Sequence, residues 1–284
     1  VTSDNGITNG FGTDDAATAA CFADAAITGD DTVRLRIAIA TGSYAGIYTT
    51  NEDNAVDGNT ITVSDTGSIT TRAIYGNGIL SRGDDNETNV SGNITTKNRE
   101  GSGIINDGDD NETIVSGSIA TEGYYAFAIS NNGDDNETNV SGNITTKRSR
   151  GSGIVIDGSN NGTIVSGSIA TEGDLADAIT NNGDDNETIF SGSITTKGNW
   201  SVAIWNNGVN NETIVSGSIT TKGNNAHGIW NDGDANKTTI SGYVKATDPN
   251  TAVLYSGNGD GNSFTLNEGA TIIGDVLAKD DATN

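Results

Sequence analysis

The chain has 284 residues, a formal net charge of -24, 39 glycines, one proline, no methionine and 5% aromatic residues. Its 14 basic residues are scattered along the sequence, which disfavours binding to nucleic acid or to an anionic membrane surface. No apolar run is long enough to cross a bilayer and no signal peptide is evident, so we expect a soluble chain without membrane insertion. Cys21 has no partner for an internal disulfide.

The first predicted element is a cap. Residues 1–32 are rich in Ala, Asp, Gly and Thr and are predicted to form an N-terminal cap or assembly segment. The run "TVRLRIAIA" at 32–40 follows and has the composition of a strand. We expect a β-helix over residues 33–278, with its most regular coils at about 69–244, and a C-terminal tail at 279–284.

Apolar residues then recur with a period of 25 residues over the central part of the chain. Three columns of Ile, Val and Phe show this period: Ile69, Ile94, Ile119, Ile144, Ile169, Ile194 and Ile219; Ile79, Ile104, Ile129, Ile154, Ile179, Ile204 and Ile229; and Val90, Val115, Val140, Val165, Phe190, Val215 and Ile240. A short strand unit cannot bury itself, but stacked copies share a continuous core. The sequence therefore predicts an all-β fold, a parallel and by default right-handed β-helix, or β-solenoid, with 25-residue coils.

The hexapeptide "GDDNET" marks the corner of four predicted coils, and variants of it mark the others. It occupies residues 83–88, 108–113, 133–138 and 183–188. We expect its glycines to supply the backbone freedom of a tight corner, and its asparagines to tolerate left-handed geometry and to stack as a hydrogen-bonded ladder. The ladder consists of Asn86, Asn111, Asn136, Asn161, Asn186, Asn211 and Asn236. Each of these residues also opens an N-x-T sequon, so glycan attachment is the alternative reading.

Stacked corners would also align carboxylates. The candidate residues are Asp84, Asp85, Asp109, Asp110, Asp134 and Asp135. Such an edge is either solvated or binds cations between coils, and an oxygen-rich site favours Ca²⁺. No cofactor is required by the sequence, and no EF-hand loop or Gly-Gly-x-Gly-x-Asp calcium repeat is present. Calcium binding at this edge is a hypothesis.

Alternating charges form a further column. Lys97, Glu122, Lys147, Glu172 and Lys197 alternate in sign at the coil spacing, which predicts ion pairs between successive coils.

Apolar and aromatic residues are predicted to point outward in two columns. One follows the buried Ile79 column by a single residue and contains Leu80, Ile105, Val155, Trp205 and Trp230; the other contains Tyr75, Tyr125 and Trp200. These residues suggest a partner surface or a platform for sugar stacking, unless they are only incidentally exposed.

Several segments resemble the β-helical passenger regions of bacterial autotransporters and related secreted adhesins. They are "NETIVSGSI", "NNGDDNET" and the terminal "GNSFTLNEGATIIGDVLA" at 261–278. The resemblance covers about residues 57–278 and implies a right-handed β-helix exported to the cell surface.

The expected function is that of an extracellular structural or adhesive β-solenoid that associates with itself end to end into fibres or matrix. The alternative is a monomeric adhesin that binds host or surface glycans. Enzyme activity is not expected, because no nucleophile with a base partner can be named and His227 falls in a column of predicted surface residues. An ice-binding face is disfavoured because Ala120 and Ala170 interrupt its threonine column.

Overall fold

The computed structural model describes residues 32–35, 38–41, 46–49, 57–249, 251–257 and 259–278. The predicted cap at 1–32, apart from Thr32, lies outside the described residues, as do Cys21 and the predicted tail at 279–284. The described part contains strands but no helix that is long and apolar enough to cross a membrane.

The described strands form three parallel sheets of ten strands each, and each turn of the chain contributes one strand to every sheet. Sheet 1 consists of Thr32–Leu35, Thr60–Val63, Glu87–Val90, Glu112–Val115, Glu137–Val140, Gly162–Val165, Glu187–Phe190, Glu212–Val215, Lys237–Ile240 and Ser263–Leu266. Sheet 2 consists of Ala38–Thr41, Ser68–Thr71, Asn93–Thr96, Ser118–Thr121, Asn143–Thr146, Ser168–Thr171, Ser193–Thr196, Ser218–Thr221, Tyr243–Ala246 and Thr271–Ile273. Sheet 3 consists of Ile47–Thr49, Ile79–Arg82, Ile104–Asp107, Ile129–Asn131, Ile154–Ile156, Ile179–Asn181, Ile204–Asn206, Ile229–Asn231, Ala252–Ser256 and Asp275–Ala278.

This arrangement confirms the predicted parallel β-solenoid, with about nine turns and coils of roughly 25 residues. The central register is that of the sequence period, because Val90 pairs with Val115 and Ile119 pairs with Ile144. Strand pairing does not fix the hand of the coil, so right-handed winding stays a prediction.

The core lies inside the coil and is built from the three predicted apolar columns. Their members from Ile69 to Ile240 are at most 2% exposed, and Phe190 is among the largest fully buried side chains. In the four-residue strands from Thr60–Val63 to Tyr243–Ala246, buried and less buried positions alternate, because successive side chains point to opposite faces. Each coil therefore contributes a few apolar side chains to one continuous core.

Glycines at the corner of the hexapeptide are required by close stacking. A Cβ on Gly208 would lie 1.9 Å from the carbonyl oxygen of Gly183, and one on Gly133 would lie 2.1 Å from that of Gly108. Of this column only Gly83 and Gly108 have a positive φ. The prediction that these glycines supply dihedral freedom was therefore wrong for most of the column, because the adjacent coil leaves no space for a side chain.

Two corners of every central coil contain a residue in the left-handed region. At the hexapeptide corner it is the residue before the asparagine: Asp85, Asp110, Asp135, Asn160, Asp185, Asn210 and Ala235, with φ between 55° and 59°. The prediction that the Asn86 column has this geometry was wrong. At the second corner the residues are Tyr75, Glu100, Tyr125, Arg150, Leu175, Trp200 and Asn225, with φ between 51° and 62°.

The outer face of sheet 3 is less exposed than alternation predicts. Val155 is buried at 6% exposure, and Trp205 and Trp230 are half-buried. The column of His227 was predicted to lie on the surface, but Ser102, Ser152 and Val202 in it are buried. Alternation assigns a residue to the outer side of a strand and does not reveal how far its neighbours in the stack cover it.

Candidate interaction edges

The first candidate site is the acidic edge, defined as the two positions after each corner glycine. It contains Asp84, Asp85, Asp109, Asp110, Asp134, Asp135, Asp184, Asp185 and Asp234. All nine are exposed. Asp84 Oδ1 accepts a hydrogen bond from the main-chain N–H of Asp109 at 2.8 Å, and Asp109 Oδ1 accepts one from Asp134 at 2.8 Å. The first aspartate of each pair thus links two coils, while the second occupies the left-handed position.

The negative charge of the acidic edge affects the pKa of Asp110. Desolvation raises the pKa of its carboxyl above the ordinary value, and Asp135, Asp85, Asp109 and Asp84 raise it further by repulsion. No group of three or more candidate ligands that could hold a metal ion occurs among the described residues. The structure therefore brings the six predicted calcium residues to one edge without assembling them into a coordination site.

The predicted asparagine ladder is present, with an arrangement that the sequence did not specify. The main-chain N–H of Asn86 donates to Asn111 Oδ1 at 2.9 Å, and the N–H of Asn111 donates to Asn136 Oδ1 at 2.8 Å. The same bond recurs through Asn161, Asn186, Asn211 and Asn236. All seven side chains are at most 2% exposed, so the sequon asparagines have no room for a glycan on the folded coil.

A second ladder lies inside the coil and was missed by the sequence reasoning. Asn106 Nδ2 donates to Asn131 Oδ1 at 2.8 Å, and Asn181 Nδ2 donates to Asn206 Oδ1 at 2.7 Å. Asn106 Nδ2 also donates to Thr113 Oγ1 at 2.7 Å, which joins sheet 3 to sheet 1 through the core. The signal was available, because these asparagines recur at the 25-residue period like the apolar columns.

The predicted ion pairs between coils are confirmed. Lys147 Nζ lies 2.7 Å from Glu122 Oε1, and Lys197 Nζ lies 2.7 Å from Glu172 Oε1. The hydrogen bond from Lys147 lowers the pKa of the Glu122 carboxyl. Because these side chains are partly exposed to solvent, at 35% to 48%, each pair adds less than about 1 kcal/mol.

The second candidate site is the arginine edge, defined as the corner between sheets 2 and 3. Its basic residues are Arg72, Lys97, Arg99, Lys147, Arg148, Arg150, Lys197 and Lys222, and all are exposed. The coil thus gathers basic residues that are scattered in the sequence. The guanidinium carbons of Arg99 and Arg150 lie 5.7 and 5.2 Å from the ring centroid of Tyr125, and that of Arg148 lies 5.5 Å from the ring centroid of Tyr124.

The left-handed position of the arginine edge contains residues that are unfavourable there. Tyr75 and Trp200 have φ values of 62° and 57°, a region that costs a bulky residue about 1–2 kcal/mol. The acidic edge has the same geometry but uses mostly Asp and Asn, which tolerate it. Tyr75 and Trp200 are also 63% and 61% exposed. Neither the backbone conformation nor burial in the core therefore accounts for the presence of Tyr75 and Trp200 at these positions.

The predicted interaction residues therefore fall into two groups. Tyr75, Tyr125 and Trp200 lie on the arginine edge, whereas Trp205 and Trp230 lie on the outer face of sheet 3, where their rings stack with centroids 5.3 Å apart. Tyr255 contacts Trp230 edge-on, and the imidazole of His227 stacks on Tyr255 at 5.0 Å.

Two titratable groups of the same outer face have shifted pKa values. Burial lowers the pKa of His227, although its hydrogen bond with the carbonyl oxygen of Ala252 opposes this. Desolvation raises the pKa of the half-buried Asp177 to about 6, against the hydrogen bond that it accepts from the N–H of Val202 at 2.6 Å. These groups belong to different coils and do not converge on a common site.

The geometry thus presents two charged edges that flank one partly apolar face. A parallel β-solenoid by itself does not define a function, so the assignment depends on these surfaces. Comparison of the chain with protein-family models, with curated proteins and with solved structures finds no match in any of the three.

Proposed function

We propose that this chain is an extracellular structural β-solenoid whose copies associate end to end into fibres or matrix. The observation that supports this is the last described rung, which consists of Ser263–Leu266, Thr271–Ile273 and Asp275–Ala278. Leu266 and Val276 continue two core columns, since they pair with Ile240 and Leu254 in the preceding rung. They are 52% and 55% exposed, whereas Ile240 and Leu254 are fully buried.

The proposed occupant of this rung is the first rung of another copy. That rung consists of Thr32–Leu35, Ala38–Thr41 and Ile47–Thr49, one strand for each sheet. Within the described residues, both end rungs have one side that no strand pairs with. Open edges of parallel strands pair readily with other strands, so a second copy can extend all three sheets and the core at once. Such a contact is heterologous and generates a filament.

The extracellular setting belongs to the proposal and is supported by the resemblance of the repeats to autotransporter passenger regions. Exposure of intact producing cells to an added protease tests it. Loss of the chain without lysis supports a surface location, and complete protection contradicts it.

Electron microscopy and light scattering of the purified chain test the assembly. We expect filaments that lengthen with concentration, and we expect Val276→Lys to shorten them because a charge at the end of a core column opposes stacking. Thr265→Lys is the matched control, since it adds the same charge to the outer side of the same rung. Single rods at every concentration, or equal filament lengths for both variants, would reject end-to-end assembly.

The second candidate is a monomeric adhesin that binds glycans. It is favoured by the exposed rings of Tyr75 and Trp200, because aromatic faces stack on sugars. Tyr125 fits this role poorly, since Arg99 and Arg150 both lie against its ring. Glycan-array binding that disappears in Tyr75→Ala/Trp200→Ala, while the wild-type chain stays monomeric, would establish this alternative.

A further inference from the structure

Sheet 3 lies between the two charged edges in every central coil. The chain passes the arginine edge at Tyr125, then the strand Ile129–Asn131, and then the acidic edge at Asp134 and Asp135. One outer face of the solenoid therefore has a basic border on one side and an acidic border on the other. This order follows from the path of the chain and holds for either hand of the coil.

The two borders differ in charge when they are compared over several coils, although not in every coil. Across the strand Ile104–Asp107, Arg99 lies opposite Asp109 and Asp110. The guanidinium groups of Arg99 and Arg150 both lie against Tyr125, in the coil whose acidic border carries Asp134 and Asp135. The pattern is not uniform along the axis. Across Ile154–Ile156 the arginine edge faces the neutral Ser159 and Asn160, and across Ile179–Asn181 both borders are acidic. The attraction therefore depends on the sum over the coils, in which the arginine edge has eight basic residues and the acidic edge has none.

Between the borders, the outer face of sheet 3 carries apolar and aromatic side chains. The half-buried members are Leu80, Ile105, Phe127, Trp205, Trp230 and Tyr255. Aromatic residues are enriched at protein interfaces, where their large surfaces are buried between partners. The face thus has an apolar centre and charged rims, which is the usual composition of a contact between proteins.

We infer that two copies of this chain bind face to face through sheet 3, side by side and with their axes parallel. A twofold axis along the rods turns the face of the second copy toward the first and exchanges left and right. The arginine edge of each copy then meets the acidic edge of the other at the same height, and both contacts form together. An antiparallel pair, related by a twofold axis across the rods, places acidic edge against acidic edge and is repelled.

Stacked guanidinium groups suit this contact. Arg99 Nε lies 2.7 Å from Glu100 Oε1, and Arg150 donates through one Nη to the hydroxyl of Tyr125. Each guanidinium has five N–H donors, so both arginines keep further N–H groups that can bind a carboxylate of the second copy. The acceptor groups would be the second aspartates of the acidic edge, such as Asp85 and Asp110, because the carboxylates of Asp84 and Asp109 already accept main-chain hydrogen bonds. The inference deepens the self-association proposed above, but it involves the edges and not the end rungs.

Charge reversal tests the contact. The first variant is Arg99→Glu/Arg148→Glu/Arg150→Glu, and the second is Asp85→Lys/Asp110→Lys/Asp135→Lys; Val276→Lys is added to all samples to suppress end-to-end assembly. Sedimentation equilibrium at low salt should show a dimer for the parent, monomers for each triple variant, and a dimer again for their equimolar mixture. High salt should weaken the parent dimer at least about tenfold, since the rim charges are solvated.

A labelling series tests the orientation. Ser91, Ser166 and Ser241 are exposed and lie on the bends between sheets 1 and 2, away from sheet 3. Each is changed to Cys in a Cys21→Ser background and spin-labelled. In the parallel dimer the distance between the two labels is the same at all three heights, whereas in an antiparallel pair it changes with height.

Several outcomes would overturn the inference. They are a monomeric parent at low salt, triple variants that dimerise like the parent, a mixture that does not recover, or label distances that vary with height. Far-ultraviolet circular dichroism of each variant shows whether it is folded. The conservative set Asp85→Asn/Asp110→Asn/Asp135→Asn should also lose the dimer, and it suits the fold because Asn160 and Asn210 already occupy equivalent positions. Filaments that form without dimers would leave the end-to-end proposal standing and reject this one.

Discussion

The main-chain nitrogen of Asn111 lies 2.8 Å from the side-chain oxygen of Asn136, which is one turn further along the solenoid. Both residues are almost completely buried, so water cannot replace this bond. The same bond recurs from coil to coil. It satisfies a main-chain N–H group at the corner between sheets 3 and 1, outside the hydrogen bonds that join the strands. The recurrence of Asn at this position thus follows from an unmet N–H group in each coil.

Asn136→Ala should therefore destabilise the solenoid. The change leaves the N–H of Asn111 buried without an acceptor, which costs about 1–3 kcal/mol. Urea unfolding followed by circular dichroism measures this cost. Asn224→Ala is the control, because Asn224 is exposed on the arginine edge, and it should change the midpoint little. Equal effects of the two substitutions would show that the ladder bond does not stabilise the coil.

A second prediction concerns Ile156, which interrupts the asparagine ladder inside the coil. Ile156 pairs with Asn131 on one side and Asn181 on the other, and Asn181 Oδ1 is buried and accepts no hydrogen bond among the described residues. Ile156→Asn loses apolar burial but can extend the ladder in both directions. Ile154→Asn places the same amide between Ile129 and Ile179, where it has no such partners.

We expect Ile154→Asn to be the more destabilising of the two by at least about 2 kcal/mol, because only its amide stays unpaired in the core. Urea titration of both variants gives the difference. A cost for Ile156→Asn as large as that for Ile154→Asn would indicate that the inserted amide does not join the ladder.

A third prediction concerns the column of corner glycines to which Gly183 and Gly208 belong. Gly208→Ala places a methyl group 1.9 Å from the carbonyl oxygen of Gly183 and forces two coils apart. Overpacking of this kind costs more than about 2 kcal/mol. Gly162→Ala is the matched control, since an added Cβ there meets nothing within 4 Å. It should be neutral or stabilise the strand by about 0.5–1 kcal/mol, and thermal unfolding of both variants decides the matter.

The period of the sequence was sufficient to predict the sheets, the register and the vertical pairing of residues such as Glu122 and Lys147. It was not sufficient to locate the left-handed residue, which is Asp85 and not Asn86, because composition does not distinguish adjacent turn positions. The burial of Val155 could not be predicted from the sequence either, because it depends on side chains in the coils above and below. Likewise, basic residues that are scattered in the chain form one edge only when the corners are superimposed.

Asp177 makes a prediction about pH. Its carboxyl has a pKa of about 6 in the folded chain, mainly because desolvation disfavours the charged form, against an ordinary value of 3.8. The folded state therefore holds the proton more tightly than the unfolded state. Linkage then requires that the contribution of Asp177 to stability is greatest below about pH 4 and is lost as the pH rises through about 6.

Asp177→Asn should remove this loss. An amide keeps an oxygen acceptor for the N–H of Val202 and carries no charge, so the variant should be more stable than the wild type above pH 6, by about 1–3 kcal/mol. Below about pH 4 the two proteins should have similar stability, because Asp177 is then protonated. Urea titrations across this pH range measure the difference.

The matched control is Asp174→Asn. Asp174 is exposed on the arginine edge and also accepts a main-chain hydrogen bond, from Asn199 at 2.7 Å, so it tests the loss of charge without the burial. We expect the stability of this variant to follow the wild-type pH profile. A difference between Asp177→Asn and the wild type that is the same at every pH would mean that the carboxylate of Asp177 is as well solvated in the folded coil as in the unfolded chain, and that the covered outer face of sheet 3 does not extend to this coil.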